Sequence, residues 1–557
     1  MTLQRMRRAQ ADFQAGRYEK VLDALAEDRS APALHLRGLA ERRLGQTDKA
    51  LQTLRQAVAS SPRDPAVIRN FGLAARSAGA PLEALEAFKR ATKLAPDFAA
   101  AWQSRGRAAL DLERFDEAAE AYRRALEIDP ASPVAQYGLA CVLTDIGETA
   151  AAVDLLHTLQ RAGRNDASVV FMLGRCALAQ GNTAAAIEHF AAAHRAGPGE
   201  YSLRALAEAL WMSGGTDAFT ALIRSATALP ALIPLAADLA RQAEDYALAN
   251  HVLAAANPPT IDGLAVQSWV AIDTDDPYAA LALATQVLDA KPGHRVATAA
   301  AASALLMLGR PNEVLTVLKP LREAEPLNQH WLAFEATAIR LTDPGRYAEL
   351  LNHGALVRAM ELPIPDGFRD IDAFNAALLD ELDKQRPFVR RPLGQSLRGG
   401  NQTSVDLLHM QTPAVQAYLQ ALRAPVAQYL AELDVAPTHP LALQRGSDFR
   451  IAECWSVELQ AHGFHVSHVH PRGWLSSAYY VAVPPVDPEA AERHEGWLRV
   501  GEPPIKTEPP LGPDQYIEPK PGRLVLFPSF VWHGTVPFRS ESRRVTAPFD
   551  IVPTQLS

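Results

Sequence analysis

A chain of 557 residues is too long for one core, because single hydrophobic cores stop growing at about 250–300 residues. Its 48% hydrophobic and 21% charged residues and its net charge of −8 describe ordinary globular material. They offer no basic surplus for nucleic acid, so no nucleic-acid partner is expected. Cys141, Cys176 and Cys454 are far apart and odd in number, with no CxxC pair and no disulfide framework, which predicts a reducing, cytoplasmic setting. The opening "MTLQRMRRAQADFQAGRYEK" lacks the apolar run of a secretory signal. No stretch reaches the roughly 18 apolar residues of a membrane span, and no membrane association is expected.

The first half of the chain repeats. Gly45, Gly79, Gly147 and Gly181 fall on a 34-residue grid, with Glu113 at the missing node. Ala50, Ala84, Ala118, Ala152 and Ala186 form a second track without a break. Pro62, Pro96, Pro130 and Pro198 form a third, with Arg164 as the exception. Gly38, Gly72, Gly106 and Gly174 form a fourth, with Ala140 between. Small residues let two antiparallel helices approach, a glycine turns the chain between them, and a proline follows the second helix. The pattern resembles the tetratricopeptide repeat in period and in its small residues. That resemblance implies an all-α solenoid with a groove that binds a peptide or protein partner. The repeat alanines are read as packing. From about Glu200 to Pro258 helical patterning continues off the grid, which returns with Ala280 and Val314 and with Pro292 and Pro326. Residues 1–340 are therefore expected to be one solenoid, degenerate near 200–258, followed by a different domain over 341–557.

After "DIDAFNAALLDELDKQ", still an amphipathic helix, the grammar changes. "TPAVQAYLQALRAPVAQYLAEL" reads as one more helix or helix pair. From Phe449 short β-branched and aromatic runs dominate: "FRIAECWSVELQ", "SSAYYVAVPP", "GRLVLFPS", "RRVTAPFDIVP". Such runs, broken by Gly and Pro, predict an antiparallel sandwich or barrel.

Sixteen histidines serve the whole chain, yet His465, His468 and His470 crowd into "HVSHVHPRGW". On a strand, the i, i+2 spacing of His468 and His470 places both imidazoles on one face, with His465 on the other face or in the approach. A metal site needs a further ligand, and His533 in "LVLFPSFVWHGTVPF" is the candidate. Eleven residues later stands Arg544, followed by Thr546.

This constellation resembles the iron(II)- and 2-oxoglutarate-dependent oxygenases. The stretches "GQSLRGGNQT", "HVSHVHPRGWLSSAYYVAVP" and "PKPGRLVLFPSFVWHGTVPF" are similar, more narrowly, to a bacterial oxygenase group often fused to tetratricopeptide repeats. The resemblance covers about Tyr347 to Pro553. It implies a double-stranded β-helix, or jelly roll, with flanking helices, and the cofactors Fe(II) and 2-oxoglutarate. By the match His468, His470 and His533 are metal ligands, while Arg544, Thr546 and Tyr480 bind the co-substrate carboxylate. His465, Arg398 and Gln402 are candidates for a place just outside the ligands. No catalytic residue is implied beyond the metal centre. Arg543 is expected to face solvent by strand alternation.

One departure stands out. The usual triad is two histidines and a carboxylate, and His470 occupies the carboxylate position. Either imidazole ligates there, or His470 stands aside and water takes its place. The expected activity is hydroxylation of a peptide or protein presented by the repeats. Two rivals stay open: an interaction scaffold with an inactive metal-binding jelly roll, and a three-histidine dioxygenase that needs no 2-oxoglutarate. The 340/341 division further predicts that a chain cut near Tyr347 keeps iron and 2-oxoglutarate binding.

Overall fold

The computed structural model describes residues 3–385, 390–403, 406–442, 448–485 and 487–554. Its packing divides into two compact units, 1–176 and 177–556.

The first unit is a run of helical hairpins. Thr47–Ser60, Pro81–Leu94 and Phe115–Ile128 are the second helices of successive pairs, and each ends two residues before Pro62, Pro96 or Pro130. Proline supplies no N–H and disfavours helix at the residue before it, so the helix closes there. The turn nodes take left-handed backbone: φ is +72° at Gly45, +75° at Gly79 and +81° at Gly147. Glu113 takes the same turn with φ +56°, so the node survives the loss of its glycine. At Gly72 a Cβ would lie 2.6 Å from the Phe88 ring, which shows why this track must stay small. Ala50, Ala84, Ala118 and Ala152 are fully buried.

The second unit continues the hairpins. Gly181, Gly214, Glu244, Asp275 and Gly309 all have positive φ, so turn nodes persist through the stretch where the sequence grid is lost. The grid fails there because the helices shorten. Ile233–Gln242 and Tyr246–Leu253 have 10 and 8 residues, against 13 and 14 in Pro65–Ser77 and Pro81–Leu94.

An antiparallel β domain follows. Its strands are β1 (Arg358–Glu361), β2 (Leu397–Gln402), β3 (Phe449–Cys454), β4 (Val457–His465), β5 (Leu475–Ala482), β6 (Leu498–Val500), β7 (Gln515–Ile517), β8 (Arg523–Pro528), β9 (His533–Thr535), β10 (Arg544–Thr546) and β11 (Phe549–Pro553). One sheet runs β1-β8-β5-β10-β4-β2, with β11 bridging β5 and β3, and a second runs β7-β6-β9. Two antiparallel sheets with helices outside them make a jelly-roll arrangement. β5 is buried on both faces. Tyr479 points to the flanking helices, where its hydroxyl donates to Asn375 Oδ1 at 2.7 Å and its ring lies 5.0 Å from that of Tyr418. Tyr480 belongs to the other core, with Phe527 and Trp532.

That second core does not stop at the change of grammar near residue 340. Trp331 and Phe334 of helix Gln329–Thr342 pack with Phe527, Val531 and Trp532. The same helix reaches two segments of the β domain by hydrogen bonds. Gln329 N–H donates to Pro471 O at 3.1 Å, and the Trp532 indole N–H donates to Thr337 Oγ1 at 2.9 Å. Among the described residues no helix is long and apolar enough to cross a membrane.

Candidate metal and co-substrate site

The three histidines meet by a route that strand alternation did not foresee. β4 ends at His465 and β5 begins at Leu475, so His468 and His470 lie on the connection rather than on a strand. An isolated antiparallel bridge to β9 aligns them. His468 N–H donates to His533 O at 2.9 Å, and His533 N–H donates to His468 O at 3.1 Å. The extended backbone at the bridge keeps the i, i+2 relation, so the expected shared direction arises without the expected strand. Ring centroids are 4.2 Å apart for His468 and His533, 5.2 Å for His468 and His470, and 5.1 Å for His470 and His533. One ring nitrogen from each lies within 4.8 Å of the other two.

Their hydrogen bonds decide which nitrogen that is. His468 Nδ1 lies 2.9 Å from Val466 O, and His533 Nδ1 lies 3.0 Å from Val531 O. His470 Nδ1 lies 2.7 Å from both oxygens of Asp550. Carbonyls and carboxylates only accept, so each Nδ1 carries a proton, and in the neutral ring it is Nε2 that keeps the lone pair. Burial pushes His533 well below the ordinary histidine range. It pushes His468 down to about 3, with a contribution from His470. Both are therefore neutral at pH 7, the state a metal ligand requires. For His470 burial also pulls downward, but the charge and hydrogen bond of Asp550 win and hold it above its ordinary value.

Asp550 is the residue that sequence reasoning missed. It sits 8% exposed on β11, opposite Ser476 of β5. Ser476 Oγ donates to Asp550 Oδ1 at 2.8 Å and lies 2.8 Å from Ser529 Oγ. Gly473 closes over this group, where a Cβ would come 2.4 Å from Ser529 Oγ. The available signal was a lone carboxylate inside the apolar run "APFDIV", since a buried carboxylate is costly unless paired.

Arg544, on β10, is 2% exposed. Its guanidinium carbon lies 5.0 Å from the centre of the Tyr480 ring. Among the described residues Arg544 Nε has no hydrogen-bond partner. Burial lowers the Arg544 pKa, partly opposed by Tyr480, and burial raises that of Tyr480. Thr546 pairs with Val457 on one side and Tyr480 on the other. Arg543 turns outward to Asp383 at 2.8 Å and Glu458 at 3.2 Å, in an ion-paired setting rather than bare solvent.

A cavity of about 520 Å³ is lined by His465, His468, His470, His533, Arg544, Thr546 and Gln402. Tyr480 is not part of this lining and lies beside Arg544. His465 stacks 5.7 Å from His468, with its Nδ1 2.9 Å from Ser396 Oγ. Arg398 does not join the site. It pairs with Glu244 at 2.7 Å, because β2 shifts register between Arg398 and Gly400 around the left-handed Gly399. A bulge of this kind re-aims the side chain beside it.

A family model described as "Putative 2OG-Fe(II) oxygenase" matches residues 453–550. Three tetratricopeptide-repeat models match residues 32–64, 69–133 and 109–174. The chain is thus similar to tetratricopeptide repeats in its N-terminal part and to that oxygenase family over the segment that carries the site. All three clustered histidines, with Tyr480, Arg544, Thr546 and Asp550, fall within the matched oxygenase segment. No curated protein matches the chain. Solved structures similar to part of it include PilF of Pseudomonas aeruginosa, at 20% identity and a TM-score of 0.32, covering 36% of this chain and 92% of that one. The type IV pilus biogenesis factor PilW matches at 23% identity and a TM-score of 0.32, covering 34% and 91%. The first repeat domain of Spaghetti (RPAP3), solved with an HSP90 peptide, matches at 23% and 0.20, covering 21% and 92%.

Proposed function

We propose that the oxygenase domain is an iron(II)- and 2-oxoglutarate-dependent dioxygenase that hydroxylates a peptide or protein engaged by the repeats. The observation that carries this reading is one cavity lined by three histidines whose Nδ1 protons are bonded elsewhere and by a buried arginine whose Nε has no partner among the described residues. The residues fit the cofactors. His468, His470 and His533 would hold iron(II), and Arg544 with Thr546 would receive the far carboxylate of 2-oxoglutarate, with Tyr480 behind the guanidinium. Arginine suits that task because its fork matches a carboxylate and it keeps its charge when buried. Iron(II) and 2-oxoglutarate together supply oxidation by dioxygen, with the co-substrate decarboxylated to succinate. The chain itself orients the three imidazoles through their Nδ1 protons, keeps two of them neutral by burial and encloses the site. A buried arginine with no carboxylate partner among the described residues argues against an inactive remnant, since a buried unpaired cation is destabilising unless it serves a ligand. It argues equally against a dioxygenase that needs no 2-oxoglutarate.

Anaerobic iron(II) titration, with and without 2-oxoglutarate, tests the reading through the weak visible charge-transfer band. His468→Ala and His533→Ala are each expected to abolish iron binding with the fold retained. Arg544→Gln should leave iron affinity nearly unchanged and weaken 2-oxoglutarate by roughly 2–5 kcal/mol. Full iron occupancy in either histidine variant would remove that residue from the site.

A further inference from the structure

The three candidate ligands are not held alike. His468 and His533 give their Nδ1 protons to backbone carbonyls, whereas His470 gives its proton to a carboxylate. His470 is also the residue that stands in the carboxylate position of the usual triad. We infer that Asp550 is the positioning residue of the third ligand: it holds the Nδ1 proton of His470 so that Nε2 faces the metal, and it returns to the site the negative charge that a histidine there does not bring. This rests on the metal reading proposed above.

Three features support it. Both carboxylate oxygens lie 2.7 Å from Nδ1, so rotation of the carboxylate keeps the contact. No lysine or arginine pairs with Asp550 among the described residues, and its one ion-pair partner there is His470. Its charge is therefore directed through the imidazole rather than neutralised by a cation. The carboxylate is also fixed in place, by the hydroxyl of Ser476, which donates to Oδ1 at 2.8 Å. Carboxylate–imidazole–metal chains raise ligand basicity and fix ring orientation. The negative charge of the usual triad is kept, one side chain farther from the metal.

Cobalt(II) binding to the full-length protein tests this without any turnover, read by visible absorption titration. Asp550→Asn can still accept the Nδ1 proton through its amide oxygen but brings no charge, whereas Asp550→Ala loses both. Affinity is expected to fall about 10–100-fold in Asp550→Asn, within the range for loss of a partner of a metal ligand, and further in Asp550→Ala. Asp550→Glu should recover part of it. Wild-type affinity in Asp550→Asn overturns the charge role. Wild-type affinity in His470→Ala, with His533→Ala inactive in binding, overturns the third-ligand role while leaving a two-histidine site. A wild-type protein that binds no cobalt(II) overturns the metal reading itself. Should the Asp550 variants fail to fold, ¹⁵N-histidine spectra of the unaltered protein with zinc(II) decide the matter. They are expected to show His470 protonated at Nδ1 and metal-bound at Nε2, and the reverse arrangement overturns the inference.

Discussion

Helices Pro65–Ser77 and Pro81–Leu94 spend their apolar faces on helices. Phe88 packs under Gly72, and Ala75, Ala84 and Leu85 join a core made of neighbouring hairpins. Helix Gln329–Thr342 shares the hairpin pattern but turns Trp331 and Phe334 onto the strands that carry His533 and its neighbours. It also hydrogen-bonds the residue after His470 and the residue before His533. The same helical unit is thus a self-contained repeat in one place and part of the wall behind the site in the other. A change in composition along a chain therefore need not mark a boundary in its packing.

The sharpest way to break this comparison is to cut the chain. A fragment beginning at Tyr347 lacks Gln329–Thr342 and leaves Val531 and Trp532 uncovered. It is expected to show no cooperative unfolding transition and no cobalt(II) binding, the reverse of what the 340/341 division predicts. A fragment beginning near Asn182 should keep both. A Tyr347 fragment that folds and binds cobalt(II) like the full chain would return that helix to the status of an ordinary repeat.

Overpacking one regular repeat sharpens it from the other side. Ala84 is fully buried, and Ala84→Leu should destabilise its unit by about 1–3 kcal/mol. Calorimetry should register that loss while cobalt(II) affinity stays within about twofold. A smaller effect is expected from Thr337→Val, which leaves the Trp532 indole N–H without its acceptor and costs about 1–2 kcal/mol. Unlike Ala84→Leu it should also weaken cobalt(II) several-fold, because Trp532 adjoins His533. Equal cobalt(II) affinity in both variants would erase the distinction between the two kinds of repeat.

The last test is a pH slope. His330 is boxed by Trp331, Phe334 and Trp532, and burial pushes it down to about 4 from its ordinary 6.5. As pH falls, the unfolded chain takes up this proton before the folded one, so stability is complete above pH 6.5 and declines from there toward pH 4. His330→Phe should flatten that decline in thermal unfolding measured between pH 7 and 4.5. An unchanged slope would mean that the ring is open to water in solution.

Local and periodic features were legible from residues alone. The turn glycines, the buried alanines and the prolines two residues past helix ends announce themselves because each hairpin repeats one short-range solution at one spacing. Arg544 inward and Arg543 outward were also expected and are found, although Arg543 precedes the strand and all three strand residues are buried. The resemblance of "HVSHVHPRGW" and "FVWHGTVPF" to known oxygenases singled out the three histidines that the fold gathers.

What required the tertiary structure was every relation between distant segments. No spacing rule connects Asp550 to His470, eighty positions apart, because β11 and the 468–470 segment meet only after the sheet closes. Arg398 is in sequence a candidate for a place just outside the ligands, yet beside the bulge at Gly399 it pairs with Glu244. The shortened helices of 233–253 hide their repeats from a fixed period although the left-handed turns continue. Helix Gln329–Thr342 looks like one more repeat until its apolar face is seen against Trp532. Sequence determines what a segment does with its own neighbours, because those contacts recur at short, fixed spacing. Which side chain meets which across the sheets depends on register and bulges, and only the closed fold decides it.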